Sequence, residues 1–234
     1  PGTLSGTYAA NGFSSGVTPL TGTSIPQATY AFTNFKQAPV QIRVRADNSE
    51  TKPELFITSA TAPVGTGLAE TEQVRPWIRT GRVRIGSRFG RTGTSPVELP
   101  VTVEYWSGRS WVLNDQDGFT VIPADAFALT ASTGNTLSSS KQTVKLTKGA
   151  GVLPLTSSQP GSIDVAINLG ASGLDTSCLT TKSASTASKM PWMRTPVTCA
   201  GQTAAKQGDP SARATFGIFP AENRRIIHVR EVFN

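Results

Sequence analysis

The chain has 234 residues, of which 22 are Lys or Arg and 15 are Asp or Glu, so it carries a formal net charge of +7 with 37% hydrophobic and 16% charged residues. That length can bury a sizeable core, and no apolar run approaches the roughly 18 to 20 residues of a spanning helix, which excludes a helical membrane anchor within the sequence. With 22 Gly and 16 Pro, the turn-rich, polar but weakly charged make-up points to an all-β protein rather than to disorder, which needs more charge and fewer aromatic and β-branched residues. The chain opens at Pro1 with no initiator Met and no basic-then-apolar leader, which leaves room for a signal peptide or an upstream domain that has been removed.

Residues 1–35 carry spaced aromatics (Tyr8, Phe13, Tyr30, Phe32 and Phe35) among Gly, Ser and Thr, a pattern of short leading strands or an arm. Residues 39–45 alternate strictly and stop at Ala46-Asp47-Asn48, and Leu55-Phe56-Ile57 is a second short strand. Residues 81–86 alternate again, and the Gly-, Thr- and Ser-rich run from Arg88 to Pro96 reads as a loop. Val97, Leu99, Val101, Val103 and Tyr105 then share one parity, Ser107-Gly108-Arg109-Ser110 turns the chain, and Trp111-Val112-Leu113 returns as the partner of a β-hairpin.

Further strands are expected at Phe119–Ile122, Phe127–Thr130, Gln142–Thr147 with Val144 and Leu146 inward, and Gly161–Leu169. Residues 171–209 lose periodicity, and 212–219 with 225–233 form a closing hairpin. The last strand, Ile226–Phe233, is either an edge able to pair with a neighbouring subunit or an ordinary internal strand. No apolar pattern holds a 3.6-residue period for three turns. The fold class is therefore an antiparallel β-sandwich with long loops and little helix, organised as an N-terminal arm over 1–35 and a module over 36–234, with a sub-boundary near residue 80 left open.

Cys178 and Cys199 bracket a Ser-, Thr-, Lys- and Pro-rich stretch. A disulfide closing that loop in an oxidising compartment is favoured over two unrelated thiols. A catalytic Ser-His-Asp triad could use only His228, and a zinc site of several His and Cys ligands has too few ligands to draw on. The basic excess gathers at Arg75, Arg79, Arg82, Arg84, Arg88 and Arg91 and again near the C-terminus. No recognition-helix, zinc-finger or aromatic RNA-binding pattern accompanies it, so a solvated basic face is favoured over nucleic acid, with adhesion to acidic glycans as its functional version.

Asn114-Asp115-Gln116-Asp117-Gly118 offers alternating oxygens, making Asp115 and Asp117 a weak calcium candidate against the simpler reading of an Asp-rich turn; no other cofactor is expected. The carboxylates Glu98, Glu104, Asp115, Asp117, Asp125 and Asp164 are the material for a glycan hydrolase, the third reading in order. Trp77, Tyr105, Trp106, Trp111 and Trp192 could supply a sugar-stacking platform. Adjacent Tyr105 and Trp106 face opposite sides of their strand, so one of them points outward. Arg88, Arg91 and Trp106 are the residues expected to contact a partner or glycan, beside the loop between the two cysteines.

Several phrases together resemble the C-terminal domain of MshQ-like proteins, large secreted proteins associated with mannose-sensitive haemagglutinin type IV pili. These are Gly81-Arg-Val-Arg-Ile, Val97-Glu-Leu-Pro-Val, Glu104-Tyr-Trp-Ser-Gly, Trp111-Val-Leu-Asn-Asp, Pro160-Gly-Ser-Ile-Asp-Val, Pro191-Trp192, Asp209–Phe219 and Arg225–Phe233. The resemblance runs in order over about residues 36–234. It implies an extracellular, pilus-linked β-rich module of a longer protein whose upstream part resembles a concanavalin-like lectin, with pilus subunits or minor pilins as partners. It supplies no catalytic residues. One departure is Gly118-Phe119-Thr120, where relatives carry Ser-Cys-Thr after the Asn-x-x-Asp turn, so a disulfide at that point is lost. The expected function is thus a non-enzymatic module acting in pilus assembly or surface attachment, with a carbohydrate-binding module as the alternative.

Overall fold

The computed structural model describes residues 3–5, 29–46, 55–59, 71–74, 77–131 and 141–217. Its strands are β1 (Thr3–Ser5), β2 (Thr29–Ala31), β3 (Val40–Ala46), β4 (Leu55–Ser59), β5 (Thr71–Val74), β6 (Trp77–Ile78), β7 (Gly81–Ile85), β8 (Arg88–Gly90) and β9 (Gly93–Trp106). They continue as β10 (Trp111–Leu113), β11 (Val121–Ile122), β12 (Phe127–Ala131), β13 (Val144–Lys145), β14 (Ala150–Ser157), β15 (Gly161–Ile167), β16 (Thr195–Val197), β17 (Lys206–Gly208) and β18 (Ser211–Phe216). The helices among the described residues are single 3-10 turns at Ala124–Ala126 and Pro191–Met193, and none is long and apolar enough to cross a membrane. The fold is all-β, built of several mainly antiparallel sheets.

The chain divides into two compact units, one of Pro1–Arg82 with Val103–Asn114 and the other of Val83–Thr102 with Asp115–Asn234. In the first, β3 pairs with β4, β5 and β6, and β1 with β2. The end of β9 pairs with β10 so that Trp106 faces Trp111 and Tyr105 faces Val112. Ser107 makes that turn itself, its hydroxyl donating to the Ser110 carbonyl and accepting from the Ser110 N–H.

Among the described residues, most of the buried apolar ones lie in the second unit. Val97, Leu99 and Val101 on β9 are buried on alternate positions, opposite Leu155, Leu153 and Gly151 of β14. A second sheet runs β12-β15-β18-β8, antiparallel except that β18 and β8 are parallel. Its central strand β15 buries Ile163, Val165 and Ile167, matching the period-2 pattern of a strand with one face on a core. Val144 and Leu146 are buried against Gly151 of β14.

Two features depart from the sequence reading. The run from Arg88 to Pro96 is not a loop: Arg88–Gly90 forms β8 and β9 already starts at Gly93. A three-residue parallel strand has no alternation to betray it, and its partner β18 lies far along the chain. Strand β14 was hidden by Gly151 and Pro154, which look like breakers. Pro154 is tolerated because β14 ends its sheet and needs hydrogen bonds toward β9 alone. The turn into β14 is Lys148-Gly149, with φ of 51° and 74°, the left-handed pair that a two-residue hairpin demands. The expected closing strand Ile226–Phe233 and His228 lie outside the described residues.

Gly90 marks where β8 meets β9. A side chain there would run into the Val97 side chain, so the missing Cβ is what lets the two strands approach. Gly90→Ala is expected to cost about 1 to 3 kcal/mol through overpacking, read as a lowered thermal midpoint; an unchanged midpoint would mean that this approach is not tight.

Candidate functional site

Two assemblies of polar and aromatic side chains stand out, one in each unit. In the first unit the β9–β10 hairpin places Trp106 and Trp111 as a cross-strand pair, their rings edge to face with centroids 5.6 Å apart. Arg82 lies over the Trp111 ring at 4.3 Å and donates from Nε to Glu104 Oε2 at 2.8 Å. Lys36 lies over Trp106 at 5.2 Å and Phe35 packs on Trp111 at 5.0 Å. At Tyr105, Arg79 lies over the ring at 4.4 Å and donates to Asn114 Oδ1 at 2.7 Å. Cations over aromatic faces are attracted by the ring quadrupole, so the hairpin carries stacked cations and rings, with Tyr105 and Trp106 on opposite faces of β9.

The second assembly is the loop region between β15 and β18. It has few apolar residues, and buried polar groups organise it instead. Asp209 is buried, and its carboxylate accepts from Arg194 Nε at 2.8 Å and Nη2 at 2.9 Å, from the Leu169 N–H at 3.0 Å, and from the Thr176 N–H at 2.7 Å. Burial pushes the Asp209 pKa up, but the hydrogen bonds from Arg194, Thr176 and Leu169 and the guanidinium charge outweigh it and hold it below the ordinary 3.8.

Asn168 is a second hub. Its amide donates to the Gly173 carbonyl and the Ser185 hydroxyl, and its Oδ1 accepts from the Gly170 N–H. The buried Asp175 bonds the Ser177 hydroxyl and backbone N–H. Lys182 spreads its ammonium over Asp175 Oδ1 and the carbonyls of Asp175 and Ser177. Cys178 and Cys199 are joined in a disulfide across this region.

The residues singled out from sequence are divided between the two units. Arg88 and Arg91 are exposed in the second unit, while Trp106 is half-buried in the first. In the Asp-rich loop, Asp117 accepts from the Phe119 and Thr120 N–H groups and from the Thr120 hydroxyl, which is the work of a turn. Asp115 is exposed, and among the described residues no group of three or more His, Cys, Asp or Glu comes together.

Of the proposed hydrolase carboxylates, Glu104 is held by Arg82. Asp164 is bonded twice by Arg213, whose own pKa is raised by those hydrogen bonds and the carboxylate charge, and Glu98 and Asp125 are exposed. The strongly exposed tryptophans among the described residues are Trp77 and Trp192, at 56% and 70%. Asp209, Arg194, Asp175 and Asn168 were missed. The available signal was the loop's lack of apolar residues, which obliges polar groups to hold it.

Removing one partner of a buried ion pair strands the other, so Asp209→Ala is expected to cost about 3 to 5 kcal/mol in chemical denaturation. Because its folded pKa is lowered, the Asp209 contribution is complete above the unfolded value and is lost as pH falls through the folded one. Asp209→Asn should therefore flatten the loss of stability below about pH 4. Replacing both cysteines with Ser should cost about 3 kcal/mol, as expected for a loop of this length, measured by the same denaturation under non-reducing conditions.

Residues 79–232 match the family model described as DUF6701, fourth domain. No curated protein and no solved structure matches the chain.

Proposed function

The chain belongs to the DUF6701 family, and on that footing we propose that it is a non-enzymatic extracellular module of a type IV pilus-associated, adhesin-like protein, acting in pilus assembly or surface attachment. The observation that carries this reading is the Cys178–Cys199 disulfide, since such bonds persist in oxidising compartments outside the cytoplasm. It closes a loop set on a rigid polar frame, the kind of scaffolded loop that carries recognition.

The carboxylates support binding over hydrolysis. Asp209 and Glu104 each face an arginine, and Asp175 faces Lys182, so these acids are engaged in holding backbone and neighbouring rings in place. The phrases from Gly81 to Phe233 that resemble the MshQ-like C-terminal domain supply the pilus association.

The test is made in the host organism. Deleting the segment 79–232 from the full-length protein should lower pilus number or surface attachment, and the purified chain should capture pilin subunits from sheared pili. Unchanged piliation and attachment in the deletion strain would overturn the proposal.

A further inference from the structure

We propose that Trp192 and the depression lined by Lys189, three residues before it, bind an anionic saccharide; this rests on the attachment reading and names its ligand class. The sequence offers five aromatic side chains for sugar stacking, and the structure separates them. Trp111 lies under Arg82, Tyr105 under Arg79 and Trp106 under Lys36, so each of these rings already has a cation on it. Trp192 is 70% exposed.

Its exposure is built in. Pro191–Met193 form one 3-10 turn, and Met193 is buried directly after the exposed indole. The Met190 N–H donates to the Leu169 carbonyl at 3.0 Å, and the Met193 N–H to the Met190 carbonyl at 3.0 Å. Arg194, the next residue, is fixed by both oxygens of buried Asp209. A large ring held out on a backbone tied at both ends loses little entropy on binding, which is the property of a recognition anchor.

The depression that Lys189 lines suits a sugar. A depression of about 450 Å³ is lined by Ser172, Gly173, Leu174, Ser185, Thr186 and Lys189 among others. Lys189 stands three residues before Trp192, and its N–H donates to the Gly170 carbonyl at 2.8 Å, so the wall of the depression and the Trp192 turn leave the same backbone junction. Lys189 also holds a left-handed φ of 58°, a conformation that a non-glycine residue keeps only where its surroundings impose it.

Asn168 ties the two stretches that line the depression together, through the Gly173 carbonyl and the Ser185 hydroxyl, and the Thr186 N–H donates to the Asp125 carbonyl. A pyranose has an apolar face for an indole and a rim of hydroxyls for Ser and Thr. Lys189 is the charged side chain of the lining, so a carboxylated sugar, such as a uronic or sialic acid, complements it better than a neutral one.

The experiment is an array of uronic- and sialic-acid oligosaccharides with their neutral counterparts, probed with the 234-residue chain, followed by titration of the best binder. Trp192→Ala is expected to weaken binding about tenfold or more, as for the loss of one anchor, with an unchanged thermal midpoint. Lys189→Gln should erase most of the preference for the acidic sugar, and Trp77→Ala should leave binding as it was. A blank array, or binding that Trp192→Ala leaves intact, overturns this inference. Because the attachment reading is judged by the deletion strain, attachment lost on deletion with a blank array would sink the saccharide site and leave that reading standing.

Discussion

A buried carboxylate ties the irregular part of the second unit to its sheet. Asp209 stands between β17 and β18 and bonds the backbone N–H groups of Leu169 and Thr176 and the guanidinium of Arg194. The end of β15, the stretch that follows it and the residue after the Pro191–Met193 turn thereby meet at one buried charge. A buried carboxylate is costly unless it is paired and fully hydrogen-bonded, and the lowered pKa of Asp209 reports that the donors outweigh burial. The disulfide between Cys178 and Cys199 acts on the same region from outside by limiting the freedom of the unfolded chain.

The polar and aromatic side chains described in the two units work in different ways. In the first, cations stack on rings, so that Arg79, Arg82 and Lys36 cover Tyr105, Trp111 and Trp106. In the second, a regular β core of Val, Leu and Ile carries a loop region in which Asp, Asn, Ser and Lys bond backbone groups. Hydrogen bonds to charged groups are stronger than neutral ones, which suits a loop that must hold its shape without a core of its own. Trp192 and Leu174 are the large apolar side chains that this frame leaves exposed.

The regular parts of the fold were legible because alternation is a strong signal. Val97, Leu99, Val101 and Val103 announce β9, and Ile163, Val165 and Ile167 announce β15, since each pattern has to place one face on a core. Strand β14 was not legible, because Pro154 is acceptable only at a sheet edge, and nothing local says where the edge is. Strand β8 was not legible either, its three residues being defined by a distant partner. The cysteine pair could be read from its setting.

The candidate site was less legible. Strand parity separates Tyr105 from Trp106 but cannot say that Lys36 comes to lie over the latter, since Lys36 arrives from a distant segment. Asp209 is one Asp before a Pro, and its importance comes entirely from three partners that fold brings to it.

The central claim is that Asp209 makes the loop region part of the folded core, and native-state hydrogen exchange at the Leu169 and Thr176 amides tests it most directly. Both N–H groups point at the Asp209 carboxylate, so they should exchange as slowly as the amides of β15, through the same cooperative opening. In Asp209→Asn they should exchange faster while β15 stays protected. Rapid exchange of both amides in the unaltered protein, at the rate of an exposed loop, would contradict the account.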